Sequence, residues 1–221
     1  MELDSLYLEN LQLIGRKSMR FIIDLPLKTF IVLFIICSII VMILHYLRYK
    51  QKKAKYSLFF KLSILLYILL LIKVAFLGIQ ITDEEGYKIL LEYGLINNAR
   101  FIQLIPFKTI LDVLSTVETL SVTYIQIVGN IILLTPLSFI LCYIKEFSAR
   151  KTLLFTFFVS LFIESYQLII SLITKIPSHT FDIDDIILNI FGAVIVIVVS
   201  IFIKKNEKIK NFIDNFIYKD N

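Results

Sequence analysis

The stretch "PLKTFIVLFIICSIIVMILHYL", Pro26 to Leu47, decides what kind of protein this is. Between Lys28 and His45 it carries no charged side chain. At ~1.5 Å of rise per residue, a helix of this length crosses the ~30 Å of hydrocarbon in a bilayer. It runs directly into "RYKQKKAKY", where Arg48, Lys50, Lys52, Lys53 and Lys55 form a dense basic link. An apolar run closed by such a link reads as a transmembrane span ending at the cytoplasmic face.

Working outward, four more apolar runs follow, at about 57–81, 122–144, 152–174 and 184–203. The 221-residue chain is 58% hydrophobic with a mean hydropathy of +0.83, more than a soluble domain of this size needs for its core. The expected fold is an all-α integral membrane protein, a bundle of five transmembrane helices. Its organisation reads as an N-terminal interfacial segment (1–25), two spans with a basic link (26–81), a region with three spans (82–203) and a basic tail (204–221). Residues 1–25 mix Leu3, Leu6, Leu11 and Phe21 with Glu2, Glu9, Arg16, Lys17 and Arg20, as in an amphipathic surface helix. They lack the order of a cleaved signal peptide.

Orientation follows from charge. The link after the first span, "KEFSARK" (145–151) after the third and "KKNEKIK" (204–210) after the fifth are basic, whereas 82–121 is net acidic. The positive-inside rule then predicts a multi-pass cell-membrane protein with its N-terminus outside and its C-terminus cytoplasmic. Arg16, Lys17 and Arg20 oppose this, and three signals outweigh one. The formal charge of +5 lies beside the spans, so it argues for a lipid bilayer as partner and against nucleic acid. Cys37 and Cys142 sit in apolar runs and read as buried hydrophobes. No zinc spacing, phosphate loop, serine-nucleophile motif or internal repeat is present, so neither a metal nor a cofactor is expected.

The candidate site comes from polar residues inside the apolar runs. On the fourth span Ser160, Glu164, Gln167 and Ser171 recur at helical spacing and share a face. An ionised carboxylate at the depth of Glu164 costs ~2.5–3.5 kcal/mol, so it must face the bundle interior or water. On the fifth, Asp182, Asp185, Asn189 and Gly192 share a face. The third contributes Gln126 and Asn130, with Pro136 as an expected kink. Glu164, Gln167, Asn130, Asp182, Asp185 and Asn189 are therefore expected to line one polar pocket in the outer half of the bilayer. Gln126, Pro136, Ser160, Asp184 and Gly192 support it, and Gly129 and Gly192 let the helices approach closely. Purely structural roles compete: Asp182, Asp184 and Asp185 can cap a helix, Asn130 and Asn189 can bond helix to helix, and His179 can be a loop residue. Lys73 is a possible counter-ion for Glu164, or snorkels to the outer surface.

The blocks "IQLIPFKTI" (102–110), "GNIILLTPLSFIL" (129–141), "ESYQ" (164–167) and "FDIDDIILNIFG" (181–192) resemble the VanZ-like family in order and spacing. Ser138 stands where relatives often have glycine, and "PSHT" (177–180) where they often have an arginine. The resemblance implies a bacterial multi-pass membrane protein whose namesake is associated with low-level resistance to teicoplanin. Three functions are open at this point. The pocket can bind a lipoglycopeptide or a lipid-linked wall precursor. It can act on a lipid headgroup, with Glu164 as acid or base and Asp182 and Asp185 holding a metal or a cation, although no nucleophile accompanies them. A cation-coupled transporter is the third.

Overall fold

Where lipid replaces water, backbone polar groups must be satisfied within the chain, and the long apolar runs do so as helices. In the computed structural model, which describes residues 20–48, 55–92, 94, 96, 101–115 and 120–218, five helices are long and apolar enough to cross a membrane. They cover Leu27–Leu47, Leu58–Phe76, Tyr124–Ile144, Ala149–Thr174 and Ile183–Lys205. The all-α membrane bundle read from the sequence is the fold. Residues 1–19 of the expected surface helix and residues 49–54 of the basic link lie outside the described residues, as do Arg100 and Glu118.

The first two spans are helices α1 (Leu27–Arg48) and α2 (Lys55–Phe76). Strand β1 (Arg20–Ile23) precedes α1 and pairs antiparallel with β2 (Ile79–Thr82), just beyond α2, in a register that sets Phe21 against Ile81. Two expectations change here. Residues 20–23 are strand rather than surface helix, and the second span stops at Phe76 rather than Ile81. Gly78, at φ 84°, turns the chain from helix into strand, a backbone conformation that side chains with a Cβ seldom adopt.

Short elements follow between the second and third spans: α3 (Glu84–Glu92), β3 (Ile102–Gln103) and α4 (Lys108–Ser115). The third span is broken into α5 (Leu120–Leu133), α6 (Thr135–Phe139) and a π-helical turn at Ile140–Ile144. Pro136 sits at the start of α6, where its missing N–H and fixed φ suit a new first turn, so the expected kink is a break. Helix α7 (Ala149–Thr174) begins at Ser148, whose side chain accepts from the Lys151 N–H, and ends at Lys175 in the left-handed conformation. Strand β4 (Phe181–Asp182) pairs parallel with β3 and leads into α8 (Ile183–Lys205). The amphipathic tail is α9 (Glu207–Tyr218), held by Tyr143 donating to Asp214 at 2.9 Å and by Phe59 edge-on to Phe216.

Helix α8 is the hub, packed on α5, α6 and α7. At Gly192 an added Cβ would lie 2.0 Å from the Ile131 carbonyl oxygen, so only glycine permits this approach of α8 to α5. Gly129 differs from expectation, because an added Cβ there meets nothing within 4 Å. Beside aliphatic residues such as Leu134, Ile163 and Ile186, the bundle buries small and polar side chains. Thr152, Thr156, Ser160, Ser171 and Ser138 are all 0% exposed. The polar stripe of α7 thus extends a further two turns past Ser160, to Thr156 and Thr152. The residue at 138 uses its hydroxyl, which donates to the Leu134 carbonyl and lies 3.1 Å from Thr156 Oγ1.

Candidate functional site

The chain order places five structural features at one end of the bundle: the C-termini of α2 and α7, the N-termini of α5 and α8, and the β3–α4 segment between them. This end is opposite the C-terminus of α1, the link at 145–148 and Asn206, and in the sequence the basic clusters follow those points. A cavity of ≈ 830 Å³ occupies it, and Gln126, Asn130, Glu164, Gln167, Asp182 and Asp185 line it together with Thr109, Gln103, Gln80 and the loop Pro177–Thr180.

Each acidic residue has its own work. Asp182 is the N-cap of α8: its Oδ1 accepts from the Asp184 N–H at 2.9 Å. Its Oδ2 accepts from the Thr109 hydroxyl at 2.5 Å, which ties α4 to the cavity wall. The Asp182 N–H in turn donates to Glu164 Oε2 at 3.1 Å, linking α8 to α7. Asp185 accepts a hydrogen bond from the Asn130 amide, linking α8 to α5. Three spans are thereby joined through one cluster of polar groups. Glu164 is 3% exposed, and among the described residues the bond from Asp182 is the single hydrogen bond of its carboxyl group, so Oε1 is left to the cavity.

Asp184 does not line the cavity. It is fully buried and accepts from the N–H groups of Phe107 at 2.5 Å and Ile110 at 3.2 Å. These are free donors at the start of α4, so Asp184 caps a neighbouring helix rather than the one it belongs to. Phe107, at φ 65°, turns the chain so that its N–H reaches the carboxylate.

Gln167 and Tyr166 reach back to α2. The Gln167 amide donates to the Ala75 carbonyl at 3.1 Å and the Tyr166 hydroxyl to the Phe76 carbonyl at 3.3 Å, both among the last, otherwise orphaned carbonyls of that helix. Gln126 lines the cavity. Two other expectations fail. Asn189 is 1% exposed and does not line the cavity: its amide donates to Ser160 at 3.0 Å while its Oδ1 has no partner, so it bonds α8 to α7. It points one turn deeper than Asp185 because the helix rises between them. Lys73 is not the counter-ion of Glu164 either. Its ammonium donates to both Asp24 oxygens, at 3.0 and 3.1 Å, and to the Leu25 carbonyl. That hydrogen bond holds the Asp24 carboxyl below its ordinary pKa.

Several lining residues were not singled out from sequence. Thr109 and Gln103 lie in "IQLIPFKTI", whose pattern offered no helical face to place them on. His179, expected in a loop, is in one, and its Nε2 lies 3.1 Å from the Leu77 carbonyl while Ser171 binds its backbone. Among the described residues, no group of three His, Cys, Asp or Glu side chains is arranged to share a metal ion.

The model of the VanZ/LLP1 family matches residues 59–204, two thirds of the chain, from the start of the second span to the end of the fifth. The chain belongs to the VanZ/LLP1 family. The match takes in every lining residue of the cavity and excludes α1. No curated protein and no solved structure matches the chain.

Proposed function

We propose that this VanZ/LLP1 protein binds an amphiphilic envelope ligand in its polar cavity, which faces the cell exterior, the N-terminus outside and the C-terminus cytoplasmic. Through that binding it contributes to glycopeptide resistance of the teicoplanin type or to envelope homeostasis. The observation that carries the reading is Glu164: a buried intramembrane acid with one oxygen turned to a cavity that polar side chains of α5, α7 and α8 wall together. Such a group is costly in a bilayer, and a purely structural bundle has no need of the hollow beside it. The basic links at the opposite end support the outward orientation. A lipoglycopeptide or a lipid-linked wall precursor presents its polar part at the outer surface, where the cavity lies.

Deleting the gene tests the reading. Susceptibility to teicoplanin is expected to rise, and full-length protein is expected to restore resistance while Glu164→Gln does not. Unchanged susceptibility to lipophilic glycopeptides, together with unchanged envelope integrity, counts against it.

A second reading, chemistry on a lipid headgroup, is favoured by the same free Glu164 oxygen beside Asp182 and Asp185. Purified protein incubated with labelled lipid-linked precursor, with and without Mg²⁺, separates the two: turnover of the label supports an enzyme, and bound but unchanged label supports a binding protein.

A further inference from the structure

A second hollow, of ≈ 900 Å³, runs between α2 and α5. Its walls are Leu66, Leu70, Leu71, Ile125, Val128 and their neighbours, so it is apolar where the first is polar. The two adjoin: Val74, Gln126, Asn130 and Leu133 line both. The chemistry therefore changes from carboxylates and amides to aliphatic side chains across a boundary one residue thick. A molecule with one end in each has its tail in a groove between two spans and its head against Glu164, Asp182 and Asp185.

The head can be specified further. Among the described residues lining the polar cavity there is no lysine and no arginine, and His179 turns its Nε2 to the Leu77 carbonyl. A phosphate would meet three acidic side chains with no lysine or arginine to pair with it. An ammonium group would find the unpartnered Glu164 oxygen open to the cavity and acceptor oxygens on all three carboxyl groups.

From this adjacency of polar and apolar hollows, and the acidic lining of the polar one, we infer that the site takes a long-chain amine, an amphiphile with a primary ammonium head and an alkyl tail that enters sideways from the bilayer between α2 and α5. The inference rests on the binding reading above and names its ligand class. Gly129 supplies the means of testing the tail, because it lines the groove and a side chain there points into open space.

The experiment uses the full chain in phosphatidylcholine nanodiscs and dodecylamine carrying a terminal diazirine, with labelled residues mapped by mass spectrometry. Label is expected on α2 and α5. Unlabelled dodecylamine is expected to compete at concentrations at least 10-fold lower than dodecyl phosphate, and ethylamine is expected not to compete at those concentrations. Glu164→Gln combined with Asp185→Asn is expected to weaken dodecylamine at least 10-fold. Gly129→Phe is expected to reduce the α2–α5 label at least 5-fold while eluting from a sizing column like the parent. Equal competition by dodecyl phosphate and dodecylamine, both lost in the Glu164/Asp185 variant, would overturn the amine assignment and leave the binding reading standing. Label insensitive to every competitor and every variant would overturn both.

Discussion

Helices α1 and α8 are both apolar enough to span a bilayer, yet the protein treats them in opposite ways. Only 6% of the α1 span is buried against the rest of the chain, compared with 39% of α8. Helix α1 presents Ile31, Ile35, Ile39 and Leu44 to the lipid and packs on α2. Helix α8 turns Asp184, Asn189, Gly192, Ala193 and Ser200 inward. Between lipid and core there is no hydrophobic gain from hiding leucine, because lipid tails are equally apolar. Burial on α8 therefore gives small residues that let backbones approach, and polar ones that need partners, a place beside Ile186, Leu188 and Ile197.

The contrast breaks most readily at Gly192. Gly192→Val forces a methyl-bearing carbon into the Ile131 carbonyl, and the expected loss is about 3 kcal/mol or more, read as loss of the monodisperse peak in detergent. Ser38→Val on α1, where the hydroxyl is buried without a partner, is expected to change stability by less than about 0.5 kcal/mol. Similar losses in the two variants would remove the distinction between hub and periphery.

Next in size is Asp184→Ala, which strands two backbone donors at the head of α4 and is expected to cost about 3 kcal/mol, with Asp184→Asn costing less. Thermal unfolding of the three proteins checks the order. If alanine and asparagine behave alike, Asp184 is not the cap of α4.

A smaller effect is expected at the Asn189–Ser160 pair. A double-mutant cycle with Asn189→Leu and Ser160→Ala should give a coupling of about 0.6 kcal/mol, typical of interhelical hydrogen bonds in membranes. Because the double variant also removes an unpartnered carbonyl oxygen, its stability should lie near that of the parent.

Smallest is the Lys73–Asp24 pair, exposed at the same end of the bundle. Because the folded-state pKa of Asp24 is depressed, its contribution is present above the ordinary value of 3.8 and is lost as the pH falls below it. Unfolding temperatures of the parent and Asp24→Asn are expected to differ slightly at pH 7 and to converge in acid. A gap that widens in acid would contradict the pairing.

The spans were legible in the sequence because length and hydropathy alone define a bilayer crossing. So was the shared face of Glu164 and Gln167, since helical spacing needs no tertiary information. What spacing could not supply was the partner. Asp182 and Asp184 stand two residues apart in one acidic cluster, yet one caps α8 and the other caps α4, through the Phe107 N–H 77 residues earlier in the chain. Asn189 lies on the same face as Asp185 and still misses the cavity, because the cavity floor lies between their levels on the helix. Lys73 was a plausible partner for Glu164 by depth alone, and strand β1, which brings Asp24 alongside, has no signature in a segment of mixed charges. Thr109 and Gln103 became visible only when β3 paired with β4 and carried them to the wall.

The central claim is that the polar cavity opens to the cell exterior. With Cys37 and Cys142 replaced by alanine, Gln126→Cys and Gln167→Cys can be treated in intact cells with a membrane-impermeant thiol reagent, Ser38→Cys on the lipid-facing α1 serving as the control. Rapid modification is expected at 126 and 167 without permeabilisation, and none at 38. Modification at 126 and 167 that requires access from the cytoplasm, or that fails from both sides, would contradict it.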